Sequence, residues 1–104
     1  MRKAYLISTE LLQQIQMHLE ENLPEEACGL LGGNNHTFRT WQPIENILHS
    51  PTRYRMNAEQ QLKAFLHFEE NQLDLLGIVH SHPNGPPLPS QTDLEEAYYP
   101  EAIY

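Results

Sequence analysis

The run from residue 73 to residue 82, LDLLGIVHSH, is the feature that most constrains the fold. It is nearly continuous in apolar residues up to its first histidine, which is typical of a central β-strand covered on both faces. Residues i and i+2 of a strand point to the same side, so His80 and His82 can present two imidazole nitrogens to one point. The run predicts a covered strand that ends in a candidate metal site. For a lone His-x-His the structural alternative is more common, in which one histidine is a satisfied polar residue at the strand end and the other is exposed.

Two other stretches have helical periodicity. The first begins after a cap at Ser8 or Thr9 and ends by Pro24, and the second begins after Asn57, whose side chain can cap a helix. The residues at helical steps are Leu11, Leu12, Ile15 and Leu19 in the first stretch, and Leu62, Phe65, Leu66 and Glu69 in the second. We expect the first of these sets to form a buried face.

The remaining predicted strands are short. Residues 3–8, 27–33 and 37–43 are apolar or rich in β-branched and aromatic residues, and the glycines and asparagines after the second of them indicate a tight turn. Residues 44–56 mix polar and apolar side chains around a proline, which indicates a loop leading into an extended segment. A short helix is expected from Ser90 onward.

Length and composition describe one ordinary globular domain. The chain has 104 residues, 39% hydrophobic and 19% charged, so we expect a single domain over residues 1–104. No segment approaches the roughly 20 apolar residues of a membrane span, and the first residues turn polar too early for a signal peptide. The expected location is the cytoplasm, with no membrane partner.

Charge argues against one class of partner, and cysteine content excludes two kinds of structural feature. A formal net charge of −8 argues against a nucleic-acid partner, because phosphate binding needs an excess of Lys and Arg. The single cysteine, Cys28, allows neither an intrachain disulfide nor a cysteine-rich zinc site. Any metal must be held by histidine and carboxylate.

Asp93 is the candidate third ligand beside His80 and His82. A carboxylate arriving from a following helix would complete three protein ligands and leave one position open, as in catalytic zinc sites. Ser90 and Asp93 also have the spacing of a capping box, so the aspartate has a purely structural alternative. The two interpretations are compatible, since the start of a helix can orient a ligand.

A zinc-bound water also needs a base, and Glu25 and Glu26 lie just before a predicted strand. Either carboxylate could take a proton from the water and pass it to a leaving amine. By composition alone, two glutamates between a proline and a strand are more often a solvated turn. The residues themselves do not choose between these alternatives.

The motifs PEEACGLLGG and GIVHSHPNGPPLPSQTD together resemble the MPN/JAMM metallopeptidase family. That family has a glutamate before an apolar strand, then His-x-His, seven residues, Ser, two residues and Asp, and this chain fits the spacing without a gap. The resemblance implies an α/β fold, in which a central mixed sheet is flanked by helices in an α-β-α, cytidine-deaminase-like arrangement. It covers nearly the whole chain.

Carried over to this sequence, the resemblance implies specific roles. His80, His82 and Asp93 would bind Zn²⁺, Glu26 would be the general acid/base for a zinc-activated water, and Ser90 would steady that water or the developing oxyanion. Cys28 would be a buried strand residue. The implied activity is that of a zinc metallopeptidase that cleaves peptide or isopeptide bonds. The implied substrate is the C-terminal tail of a ubiquitin-like or sulfur-carrier protein, and within the family the chain resembles the small prokaryotic members.

One departure from the family concerns the C-terminus. Further strands and a C-terminal helix normally follow the aspartate helix, whereas this sequence stops at Tyr104, so we expect a domain short of its last strands. The exposed sheet edge would then need a cover, such as a second copy in a homodimer. A non-catalytic MPN-type scaffold is the alternative function, and a zinc nucleobase deaminase is excluded because its motif needs more than one cysteine.

Overall fold

A computed structural model describes residues 4–83. Within them the order of elements is α1 (Thr9–Glu21), β1 (Cys28–Asn34), β2 (Thr37–Ile44), α2 (Ala58–Glu70) and β3 (Asp74–His80). Both helices and these three strands match the predicted positions to within one or two residues. Ser90, Asp93 and the helix predicted after Ser90 lie outside the described residues.

The three strands form one antiparallel sheet in the order β2-β1-β3. Among residues 4–83, β1 is therefore the central strand, and β3 pairs with β1 alone. The central position predicted for β3 stays a prediction, because the described residues show only one of its sides, the side that pairs with β1. The other side of β1 is taken by β2, its partner in a hairpin.

The strand predicted over residues 3–8 is reduced, in its described part, to one parallel bridge between Leu6 and Thr37. Leu6 accepts a hydrogen bond from Phe38 and donates one to His36, but its side chain is 65% exposed. Ser8 caps α1 immediately afterwards by accepting from the Leu11 amide at 3.1 Å. In its described part, the segment therefore adds two main-chain hydrogen bonds to the sheet but no buried side chain at Leu6.

The helices cover opposite faces of the sheet, which confirms the predicted α-β-α arrangement. One face packs against α2 through Cys28, Leu30 and Ile78, and the other packs against α1 through Leu31 and Trp41. Side chains of consecutive strand residues alternate between faces, so β1 contributes to both layers. We call these layers the α2 face and the α1 face.

The buried side of α2 differs from the one that its leucines indicate. Leu62 and Leu66 are 57% and 48% exposed, whereas Ala64 and Phe68 are buried. A Cβ built at Gly32 would lie 2.5 Å from the Phe68 ring, so that glycine gives the ring its room on the sheet. Ala64 and Phe68 are the residues by which α2 approaches the sheet closely. The helix is therefore rotated so that its larger aliphatic residues face outward.

On α1 the prediction is mostly confirmed. Leu11 and Ile15 are buried and Leu19 packs beside them, but Leu12 is 44% exposed.

Neither helix in the described part of the chain is long and apolar enough to cross a membrane.

Candidate metal centre

Strand pairing brings the candidate residues to one end of the α2 face. Cys28 pairs with His80, and the ladder continues by one pair because the Ser81 amide donates to the Ala27 carbonyl at 3.0 Å. The Ala27 amide in turn donates to Ser81 Oγ at 2.9 Å. One step further in the same register, Glu26 lies beside His82.

Glu26, His80 and His82 converge. Each offers one ligand atom, and these atoms all lie within 4.8 Å of one another. His80 Nδ1 is 3.4 Å from Glu26 Oε1 and 3.2 Å from His82 Nε2. The side chains of His80 and Glu26 are only 7% and 5% exposed, so a carboxylate and an imidazole meet almost entirely out of water.

The donor set fits a zinc ion. Two nitrogens on one tetrahedral zinc, each at about 2.0–2.1 Å, are separated by roughly 3.3 Å. The 3.2 Å between His80 Nδ1 and His82 Nε2 agrees with that value. Imidazole nitrogens and a carboxylate oxygen are also the ligand types that zinc accepts when cysteine is absent.

The orientation of His80 is supported by Tyr54. The two rings stack with centroids 4.5 Å apart and planes 21° from parallel. A ring held between a stacking partner and a carboxylate has little rotational freedom, which suits a metal ligand.

Glu25 has a different environment from Glu26. Its side chain is 37% exposed, and its Oε2 lies 3.2 Å from His49 Nδ1 in a surface pair. Of the two glutamates that the sequence offered as a base, only Glu26 lies with the histidines.

Asn46 is the residue at this centre that sequence reasoning missed. It is buried, and its side-chain amide donates to the Glu26 carbonyl at 3.0 Å. The contact spans 20 residues of sequence. In PIENIL, the polar pair Glu45-Asn46 stands between aliphatic residues, and this is the only local signal of a buried role.

Cys28 lies next to the centre but faces the core. Its Sγ donates to the Ile44 carbonyl at 3.3 Å, and the residue is fully buried. Burial, and secondarily the negative charge of Glu26, raise the pKa of the Cys28 thiol from 9.0 to about 12. A thiol that stays protonated is neither a nucleophile nor a ready metal ligand.

Similarity to known proteins agrees with this geometry. A family model described as prokaryotic homologs of the JAB domain matches residues 8–104. The chain belongs to this family. JAB is the domain type that the MPN/JAMM resemblance indicated, so the fold class and the family expected from the sequence are confirmed.

Three relatives illustrate the JAB family. A probable TtuB-protein conjugate cleaving protease of Thermus thermophilus is 41% identical over 88 residues, covering 84% of this chain and 59% of that protein. A desampylase of Pyrococcus furiosus is 41% identical over 70 residues, covering 67% and 50%. A CysO-cysteine peptidase of Mycobacterium tuberculosis is 34% identical over 101 residues, covering 95% and 69%.

A solved structure shares the JAB-like fold. The solution structure of a Desulfitobacterium hafniense protein superposes with a TM-score of 0.78 at 32% identity, covering 89% of this chain and 66% of that one. This chain thus spans between half and about two thirds of the length of the proteins it matches.

Proposed function

We propose that this chain is a zinc-dependent metallohydrolase that cleaves peptide or isopeptide bonds. The observation that carries the proposal is the meeting of Glu26 with His80 and His82 at the buried end of the α2 face. The names of the relatives support it, because they are a protease, a peptidase and a desampylase.

In this proposal His80 and His82 would hold the zinc ion, and Asp93 would supply the third ligand. The Ser90 hydroxyl would donate a hydrogen bond to the oxygen on which negative charge develops. When bound, zinc would act as a Lewis acid and lower the pKa of a water molecule to near 7. Ser90 and Asp93 are assigned these roles only because of their positions in the sequence motif.

Glu26 is proposed as the general acid/base. Its carboxylate takes a proton from the attacking water while the oxygen of that water bonds to the carbonyl carbon. As the C–N bond breaks, the same proton passes from Glu26 to the leaving nitrogen, so the products are an amine and a carboxylic acid that keeps the second proton of the water. Burial beside His80 places this carboxylate where water is scarce and orientation is fixed.

The proposed substrate is the C-terminal tail of a ubiquitin-like or sulfur-carrier protein. Two relatives carry names that refer to TtuB-protein conjugates and to CysO-cysteine. A flexible tail can bind in extended form along a strand by main-chain hydrogen bonds, with side-chain pockets adding selectivity. The homodimer, the single domain over residues 1–104 and the cytoplasmic location remain predictions from the sequence.

The test compares Glu26→Gln with Glu25→Gln. Both remove one carboxylate charge at neighbouring positions, but only Glu26 lies with the histidines. We expect Glu26→Gln to lower kcat by about 10²- to 10⁴-fold, the usual contribution of a general base. Glu25→Gln should leave kcat unchanged. The substrate is a ubiquitin-like protein fused through its C-terminus to a short peptide.

Zinc content measured on the same samples separates the remaining outcomes. Glu26→Gln should retain stoichiometric zinc if Glu26 is a base, and should lose zinc together with activity if Glu26 is a ligand. Equal turnover by wild type and Glu26→Gln would remove Glu26 from its proposed role. If wild type and His82→Ala both take up no zinc at stoichiometric supply, the hydrolase proposal is wrong; zinc uptake without turnover would favour the scaffold.

A further inference from the structure

Asn46 uses its whole hydrogen-bonding capacity inside the protein. Nδ2 donates to the carbonyls of Glu26 and Arg53, each at 3.0 Å. Oδ1 accepts from the amides of Leu48 at 3.1 Å and Arg55 at 3.0 Å. An amide side chain offers two N–H donors and two carbonyl lone pairs, so all four are used. With 6% exposure, Asn46 has little room for water to replace any of these bonds.

These bonds fold residues 45–56 into a compact loop, which we call the Asn46 loop. Its ends are joined by a bridge between Asn46 and Met56 and by a bond from the Ile47 amide to the Arg55 carbonyl at 2.9 Å. Asn46 closes the loop from inside, because one side chain contacts main-chain groups on both of its arms.

The backbone of Glu26 depends on this loop. Glu26 precedes β1, and its amide donates to the Ser50 carbonyl at 2.7 Å while its carbonyl accepts from Asn46. The Asn46 loop therefore takes the place that a neighbouring strand has for residues inside the sheet. Buried main-chain groups need such partners, so the loop fixes where the Glu26 side chain starts.

The same loop also contacts His80. Tyr54 lies between Arg53 and Arg55, the two loop residues whose main chains bond to Asn46, and its ring stacks on His80. Both members of the 3.4 Å pair between Glu26 and His80 are therefore held from one loop.

We propose that Asn46 is a positioning residue that sets the Glu26 carboxylate, through the Glu26 backbone, for its proton-transfer role. The inference rests on the proposed function. Asn46 contacts neither substrate nor metal in this scheme, and it acts only through Glu26 and the Asn46 loop.

The kinetic test uses Asn46→Ala, with Ser8→Ala as the control. Ser8 caps α1 away from the centre, so its loss weakens the fold without touching Glu26. For Asn46→Ala we expect kcat to fall by about tenfold or more, because displacement of a catalytic group by about 1 Å can cost about 10²-fold. KM and zinc affinity should stay near wild type, since strand pairing with β1 still holds His80, and His82 lies just after β3 and outside the Asn46 loop. Ser8→Ala should match wild type in all three.

Amide hydrogen exchange gives a readout that needs no activity. In the wild type, the amides of Glu26, Leu48 and Arg55 should share one protection factor, because they become exposed by the same opening of the loop. Asn46→Asp keeps both acceptor sites and loses both donors. It should speed exchange at Glu26 while Leu30, inside β1, stays protected. If Asn46→Ala does not fold, Asn46→Asp takes its place in the kinetic test.

The outcomes separate the inference from the function on which it rests. Folded Asn46→Ala with wild-type kcat, or a wild-type Glu26 amide that exchanges far faster than those of Leu48 and Arg55, would overturn the positioning role. An inactive wild type whose Glu26 amide still loses protection in Asn46→Asp would refute the proposed hydrolase and leave the structural half of the inference standing. A fall in kcat with unchanged KM and zinc affinity supports both.

Discussion

His18 and His80 lie on opposite faces of the sheet, and both meet Cys28. His18 Nε2 is 3.1 Å from the Cys28 carbonyl, and its Nδ1 is 3.3 Å from Asn22 Nδ2. Because a carbonyl only accepts and an amide nitrogen only donates, the neutral imidazole with its proton on Nε2 satisfies both contacts. His80, the strand partner of Cys28, instead directs Nδ1 toward the carboxylate of Glu26 and toward the His82 ring.

The difference teaches what makes a histidine a candidate ligand. His18 is half-buried and the His80 side chain is nearly buried, and both contact an aromatic ring, Trp41 for His18 and Tyr54 for His80. Only His80 has a second imidazole and a carboxylate converging on the same side. His18 spends both nitrogens on neutral neighbours, so no nitrogen lone pair remains for a metal ion.

The strongest way to break this comparison is to remove each imidazole. We expect His80→Ala to weaken zinc binding by more than about 100-fold. Removing only a residue that hydrogen-bonds to a metal ligand already lowers metal affinity by about 10- to 100-fold. His18→Ala should leave zinc affinity unchanged. Competition with a chromophoric chelator measures both. Similar losses of zinc affinity in the two variants would show that the zinc site is not confined to the α2 face.

A second prediction concerns packing on the α1 face. A Cβ built at Gly29 collides with the indole ring of Trp41, whereas one at Gly77 only comes within 3.2 Å of Phe38. Gly29→Ala should therefore lower the free energy of unfolding by about 1–3 kcal/mol, the usual cost of overpacking. Gly77→Ala should lower it less. Urea unfolding of both variants is the measurement.

Zinc affinity sharpens the packing prediction. Gly29 and Trp41 lie on the α1 face, while the candidate ligands lie on the α2 face, so folded Gly29→Ala should bind zinc like wild type. A large drop in zinc affinity would mean that the two layers are coupled through β1.

Local sequence patterns were sufficient for the elements and for part of the centre. Caps at Ser8 and Asn57 and the apolar runs predicted both helices, β1 and β3, because these depend on neighbours within a few residues. The strand spacing of His80 and His82 predicted their shared direction. The family resemblance then chose Glu26 over Glu25, and the structure places only Glu26 beside the histidines.

What local patterns could not predict depends on contacts distant in sequence. The choice between Ala64 and Leu62 as the buried position of α2 depends on where the sheet presents Gly32, which periodicity does not encode. Asn46 acquires its role by meeting Glu26 across 20 residues. Tertiary packing decides each of these cases.

The smallest expected signal comes from Cys28, which lies between the two histidines. With its thiol pKa at about 12, only about one thiol in ten thousand is ionised at pH 8, against about one in ten for the ordinary value of 9.0. Because the thiolate is the reactive form, iodoacetamide should not label the folded protein at pH 8 and should label it readily in urea. Labelling of folded Gly29→Ala should rise only in proportion to its unfolded fraction. Rapid labelling of the folded wild type would mean that the Cys28 thiol is accessible, and its buried contact with the Ile44 carbonyl could then not be as described.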